Sequence, residues 1–237
     1  MGASDDSWEH TINALQSGKQ SFAFVDLGIS KKDWEALQNL QISETTEYGR
    51  YTRLHLIPEE LAEFLRTEVG SKNSSLNRLA ARIIHEIAEK VVKASGKETA
   101  WVCVRASTPS DEYDLSRWHT DGSFYKPYGS AQLKFAGVLR GASTIFVDLI
   151  DKKDEFHEIE GRKDLFDREK RVMFRDLIPS ESIVHPNFGQ GAFFLVGSNQ
   201  AAIHSEPAFA ESRLFFSVVP GTQAEIEELA NSRKESL

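Results

Sequence analysis

The chain has 237 residues, 40% hydrophobic and 27% charged, a composition that suits one ordinary globular domain with a sizeable core. A formal net charge of -8 argues against a general phosphate-binding surface, and so against nucleic acid as a partner. No apolar run approaches a membrane span, and the opening MGASDDSWEH has neither the basic flank nor the apolar core of a signal peptide. With Cys103 as the single cysteine, no internal disulfide can form, and a reducing, cytoplasmic setting is the expectation.

In chain order, SFAFVDL (21–27) reads as an apolar strand, and Ser30 then starts a short helix through KKDWEALQNL with Asp33 in its first turn. PEELAEFLRTEV has a helix-start signature, with Pro58 at a first-turn position and acids early. The clearest helix is SSLNRLAARIIHEIAEKVVKAS. There Leu76, Ala80, Ile83, Ile84, Ile87, Val91 and their neighbours recur at i, i+3, i+4 and i+7, so one face must be buried; Gly96 ends it.

After Gly96 the texture changes to short strand-like runs bounded by Gly, Pro, Ser or Asn: AWVCVRAS (100–107), LSRWHTD (115–121), AQLKFAGVLRG (131–141), STIFVDLI (143–150), GAFFLVGS (191–198), QAAIHSE (200–206) and RLFFSVVPG (213–221). Strands at such spacing indicate a sandwich or barrel. A charged, partly helical insertion, 151–186, interrupts them and suits either a lid or a surface decoration. Thr222 and Glu225 form a capping box that opens a closing helix. The expected organisation is a single domain: an α/β preamble over 1–99, a strand-built core over 100–221, and a C-terminal helix over 222–237.

The chemistry concentrates in SRWHTDGSFY. On a strand, residues i and i+2 share a face, so His119 and Asp121 can converge on one ion. That pair alone is a weak signal. His204, in a late strand of the same array, supplies a third ligand, and two His with one carboxylate leave half of an octahedral coordination sphere open. Nine residues on, Arg213 opens the next strand, where a short turn would bring its guanidinium back beside the metal. A buried Arg implies an anion to meet it. Trp118 alternates away from His119 and is expected in packing; Tyr125 and Tyr128 fall in the loop beyond the ligands, where contact with substrate or cofactor is the expectation, with Tyr125 as a cofactor contact; Gln132, Arg140 and Thr144 can face the interior by alternation. Cys103 is expected as a small core residue.

His-x-Asp, a distal His some eighty residues later and an Arg on the following strand together resemble the Fe(II)/2-oxoglutarate-dependent dioxygenase superfamily. The resemblance implies an α+β, mainly β fold: a double-stranded β-helix (jelly-roll, cupin-like) core, with N-terminal helices packed on the major sheet. It also implies that His119, Asp121 and His204 ligate Fe(II) and that Arg213 pairs with the distal carboxylate of 2-oxoglutarate. The implied reaction consumes O2, oxidises a small-molecule or protein side-chain substrate, and releases succinate and carbon dioxide. Two positions depart from the commoner pattern. Phe215 stands where many members carry a small hydroxyl residue, and Ser217 lies ~13 Å along the strand from Arg213, beyond reach of one carboxylate. Lys134, with Ser116 three residues before His119, offers the rival anchor used in the Jumonji-type branch. Spacing from His204 favours Arg213. The alternatives are a cupin-like metal hydrolase or isomerase, against which an inward Arg213 counts, and a non-catalytic binding module, against which the intact ligand set counts.

Overall fold

The computed structural model describes residues 5–50, 54–112, 114–149, 151–208 and 210–234, so Ile150, the last residue of one expected strand, lies outside the described residues. In chain order the elements are α1 (Asp5–Gln16), β1 (Phe22–Asp26), α2 (Lys31–Leu37), β2 (Thr46–Arg50), α3 (Ile57–Thr67), α4 (Ser74–Ala94), β3 (Thr99–Ser107), β4 (Gln132–Arg140), β5 (Ile145–Val147), α5 (Lys153–Gly161), α6 (Asp167–Leu177), β6 (Ile183–Val184), β7 (Gln190–Val196), β8 (Ile203–Ser205), β9 (Arg213–Gly221) and α7 (Gln223–Lys234). Short 3-10 turns occupy Leu54–Leu56 and Ser180–Ser182. No described helix is long and apolar enough to cross a membrane.

The strands form two antiparallel sheets. The larger runs β1-β7-β4-β9-β3-β2; the smaller runs β6-β5-β8, extended by a bridge from His204 to His119. From β3 onward the chain shuttles between them: β3 large, the His119 segment small, β4 large, β5 and β6 small, β7 large, β8 small, β9 large. Eight strands divided this way are the connectivity of a jelly roll, or double-stranded β-helix. The N-terminal third adds β1 at one edge of the large sheet and β2 at the other.

Helices α1 to α4 cover one face of the large sheet. Trp8 of α1 stacks on Phe135 at 5.4 Å and meets Phe193 edge-on at 5.3 Å, and α4 turns Ala80, Ile84, Ile87 and Val91 into the same cluster. Each fully buried aromatic or aliphatic side chain of this kind contributes about 1.5–3 kcal/mol. Two glycines make room for the rings. A Cβ on Gly137 would lie 2.6 Å from Phe216 Cζ, and one on Gly191 would lie 2.4 Å from Phe135 Cζ. Local signals act as expected. Ser30 accepts from the Asp33 amide, and Thr222 and Glu225 cap one another reciprocally, with Thr222 N donating to Glu225 Oε2 at 2.7 Å and Glu225 N donating to Thr222 Oγ1 at 3.3 Å.

The insertion is helical in part, as expected, and its end supplies β6 to the small sheet. The sequence-based expectations need correction in two places. Helix α1 and strand β2 went unforeseen. The expected strand over 115–121 shrinks to one bridged pair, His119↔His204, in which each residue's amide donates to the other's carbonyl at 3.0 Å. A continued ladder would next use the carbonyls of Arg117 and Ala202. Both instead accept from imidazole Nδ1 atoms, Arg117 O from His119 at 2.8 Å and Ala202 O from His204 at 3.1 Å.

Candidate metal centre

Those two side-chain bonds shape the site. With Nδ1 donating to a main-chain carbonyl, each imidazole keeps its lone pair on Nε2, the tautomer a metal ligand needs. His119 Nε2 lies 3.8 Å from Asp121 Oδ1, and His204 Nε2 lies 3.6 Å from Asp121 Oδ2. One ligand atom from each of the three residues falls within 4.8 Å of the others. Two ligands bonded at about 2.1 Å and at right angles would stand about 3 Å apart, so a divalent ion would draw each histidine toward the Asp121 carboxylate by less than about 1 Å. Two nitrogens and one oxygen on a single face suit a first-row metal with open positions.

Burial and charge hold the ligands in their binding forms. Burial pushes the His204 imidazole down to about 4, so it stays neutral over the physiological range. Phe146 and Phe194 make its surroundings apolar, with ring centroids 5.9 and 4.9 Å from its own. Burial alone would raise Asp121. The Lys134 ammonium, 2.7 Å from Oδ2, acts with His204 and His119 to hold that carboxyl well below the usual carboxylate range. Oδ2 is thereby shared between Lys134 and the His204 side, and Oδ1 is left toward His119.

The ligands line a cavity of about 620 Å³ between the two sheets. Arg213 and Lys134 both reach it, from opposite sides. His119, His204 and Phe146 make one row across the small sheet. Two residues further along, Arg117, Glu206 and Thr144 form the next row by alternation. Arg213, buried at 3% exposure, donates through Nε to Ala142 O at 2.8 Å and through Nη2 to Thr144 Oγ1 at 3.2 Å, on that side of the ligands. Lys134 bonds Asp121 on the other side. The two cations therefore flank the centre and do not share one anchoring point.

Other expected contacts are not brought to the cavity. Tyr125 is buried, but its hydroxyl donates to Pro220 O at 2.9 Å and its ring packs with Val219, Ile226 and Leu229 beneath α7. Ser116 lines a separate cleft beside Leu115, Trp118 and Arg175. Gln132 is spent on the Phe124 amide and the Tyr125 carbonyl, Arg140 on the Leu40 carbonyl, and Tyr128 is exposed with its hydroxyl on Glu228. Trp118 turns away into the cluster of Ile145, Val147 and Phe156, as alternation required.

Several lining residues were missed or read differently. Phe124 and Phe194 wall the ligands together with Phe215, and Cys103, expected as a core residue, faces the cavity, its Sγ 3.3 Å from Glu47 Oε1 and its thiol pushed by burial up to about 12. A chain of charges crosses one side. Glu47 accepts from Arg105 Nε at 2.6 Å, and Glu206 takes Arg117 at 2.7 Å with Arg105 at 3.9 Å. The signal for two of these was present: Arg117 and Glu206 each stand two residues from a ligand histidine, hence on its face.

No protein-family model matches the chain, and no curated protein matches it. Among solved structures, similar folds include the non-heme alpha-ketoglutarate-dependent carbocyclase SnoK from nogalamycin biosynthesis, at 10% identity and TM-score 0.48 over 92% of this chain and 86% of that one. The Kdo hydroxylase KdoO, a non-heme Fe(II) alpha-ketoglutarate-dependent dioxygenase, matches at 13% identity and TM-score 0.45 over 93% and 85%. A prolyl-4-hydroxylase from Pseudomonas putida matches at 12% identity and TM-score 0.41 over 91% and 99%. With TM-scores below 0.5, none of these likenesses decides the chemistry, which rests on the chain's own side chains.

Proposed function

We propose that this chain is an Fe(II)- and 2-oxoglutarate-dependent oxygenase acting on a small polar substrate or a protein side chain. The observation that carries the reading is the pairing of a tautomer-locked His119, Asp121, His204 set with a buried Arg213 in one cavity. When bound, iron and 2-oxoglutarate supply the activation of O2, with succinate and carbon dioxide as coproducts. His119, Asp121 and His204 would hold the metal through three donors, leaving further positions for cosubstrate and O2. Lys134 orients the Asp121 carboxylate toward single-oxygen ligation. Arg213, its plane fixed by Ala142 and Thr144, receives the distal carboxylate of the cosubstrate, and the Thr144 hydroxyl is a second donor for it. That hydroxyl fills the role that Phe215 leaves open on β9.

The phenyl rings of Phe124, Phe194 and Phe215 keep water from the reacting side of the ligands. A volume of about 620 Å³ accommodates the cosubstrate together with a metabolite-sized acceptor, and the Glu47, Arg105, Glu206, Arg117 row favours one that carries charge. A cytoplasmic setting belongs to the same reading, since iron stays ferrous there and Cys103 needs no partner.

The test is anaerobic addition of Fe(II) and 2-oxoglutarate to metal-free protein, following the visible charge-transfer band. The band is expected in the wild type, absent in His204→Ala, and half-saturated only at roughly tenfold or more 2-oxoglutarate in Arg213→Ala, the equivalent of about 1.4 kcal/mol. Tight metal binding with no band at any 2-oxoglutarate concentration would leave a cupin-like hydrolase or isomerase. A band that fails in Lys134→Ala while surviving in Arg213→Ala would move the anchor to Lys134.

A further inference from the structure

Two of the three ligands ride on a segment held by the main chain along one edge only, through the His119–His204 bridge and the Gly197 amide, which donates to Asp121 O at 2.9 Å. Among the described residues the His119 segment pairs with β8 through one bridge, and no strand pairs with its other edge. Thr120, between the two ligands, points to the face opposite theirs and turns its amide toward that open edge. An edge amide needs a partner, and here it is a side chain from the insertion. Thr120 N donates to Glu160 Oε1 at 2.6 Å, and the Thr120 hydroxyl lies 3.0 and 2.9 Å from the two oxygens of the same carboxylate.

Glu160 is itself held from both helices of the insertion. It stands one residue before the end of α5, its side chain meets His157 Nδ1 at 3.2 Å, and its carbonyl accepts from Lys170 Nζ of α6 at 2.9 Å. The helices pack through Phe156 on Phe174, stacked at 4.6 Å, into the cluster that contains Trp118. The insertion therefore reaches the ligand segment twice, through apolar contact at Trp118 and through a charged clamp at Thr120.

We propose that Glu160 is a positioning residue for the metal centre, substituting for a missing neighbouring strand so that His119 and Asp121 keep their spacing. The clamp rests on the metal reading above and extends it to the insertion. Coupling of this kind is reciprocal: if the clamp favours metal binding, metal binding must in turn steady α5. It also gives the insertion a role other than covering the cavity, because Glu160 grips the segment from behind.

Full-length metal-free protein would be titrated with Co(II) alone, following its visible ligand-field absorption, for wild type, Glu160→Ala, Glu160→Gln and Thr120→Val. Partners that orient metal ligands typically change affinity roughly 10–100-fold when removed, so Glu160→Ala is expected to weaken Co(II) binding by at least tenfold. Glu160→Gln keeps one acceptor oxygen and should fall between; Thr120→Val keeps the amide bond and should weaken less than Glu160→Ala. Amide exchange provides a readout that a loss of general stability would not mimic. Co(II) should slow exchange across 117–121 and 153–161 in the wild type, and only across 117–121 in Glu160→Ala. If Glu160→Ala does not fold, the other two variants carry the test. Co(II) affinities within twofold of wild type in every variant that folds would overturn the clamp while leaving the metal site standing. A wild type that takes up no Co(II) would overturn both.

Discussion

The two sheets of this molecule divide the labour unequally. The large sheet has strands of up to nine residues, with β3 paired to β9 along its whole length, and four helices on one face. The small sheet has strands of two or three residues and ends in a single bridged pair. Yet all three candidate ligands lie in or beside the small sheet. The difference follows from competing uses of the same groups. Carbonyls that would continue the ladder are spent on imidazole Nδ1 atoms, and an edge amide is spent on Glu160. Stability comes from the well-paired sheet, and ligand geometry comes from side-chain bonds that interrupt the poorly paired one.

The largest expected effect tests the scaffold half of that contrast. Phe135→Ala removes a fully buried ring packed against Trp8, Phe193 and Phe216 on the helix-covered face. Unfolding in urea should show a loss of about 3–5 kcal/mol, and metal affinity of the folded fraction should change less than twofold. The converse substitution is His204→Ala. It should lower metal affinity by roughly a hundredfold or more, about 2.7 kcal/mol, in a calorimetric titration. The metal-free protein should lose little stability from it, because a desolvated imidazole goes with the ring. If either variant strikes both properties equally, the division between the sheets fails.

How legible each half was in the sequence follows the same line. Periodicity exposed what burial dictates: the face of α4, the nine-residue strands β3, β4 and β9, and the caps at Ser30 and Thr222. The candidate ligands were legible as a cluster because alternation holds even around a single bridged pair, so His119 and Asp121 turn to the same side. Partners set by tertiary contact were not. Glu160 is forty residues from Thr120, and Thr144 reaches Arg213 across the gap between sheets. Nothing in local pattern marks Glu160, and alternation turned Thr144 inward without naming Arg213 as its partner. Tyr125 was misjudged because its loop bends beneath α7, where an apolar ring and one carbonyl satisfy it fully. Strand β6 was hidden by its length, two residues at the end of a charged tract.

Acid should find the small sheet before the large one. The folded state depresses His204 from 6.5 to about 4, chiefly by burial, so protons bind the unfolded chain first as pH falls. The stability associated with a neutral His204 is thus fully present above pH 6.5 and is lost progressively down to pH 4, at up to about 1.4 kcal/mol per pH unit. Glu206 is also depressed, to about 2; burial opposes this, and the Arg117 hydrogen bond with the His119 and Arg117 charges outweighs it, so its contribution is lost only below pH 4.5. Urea midpoints of metal-free protein between pH 7 and 4 should therefore fall in the wild type. They should fall less in His204→Gln, which has no proton to take up in that window. Equal slopes in the two proteins would remove His204 from the account.

The smallest effect probes the boundary between the halves. Helix α7 follows β9 directly, and its first turn is secured by the Thr222–Glu225 box, with Lys97 2.9 Å from the same Glu225 carboxylate. Loss of a hydroxyl cap costs about 1 kcal/mol, which in a protein of this size lowers the melting temperature by about 2–4 °C. Thr222→Ala should show that shift in metal-free protein. Its Co(II) affinity should match the wild type, because α7 anchors Tyr125 and the end of β9 and touches no ligand. The 2-oxoglutarate affinity should be equally unmoved, since Arg213 stands at the opposite end of β9 from the cap. A change in either affinity would mean that the far end of the large sheet transmits strain to the centre, and that the small sheet depends on more than its own side-chain bonds.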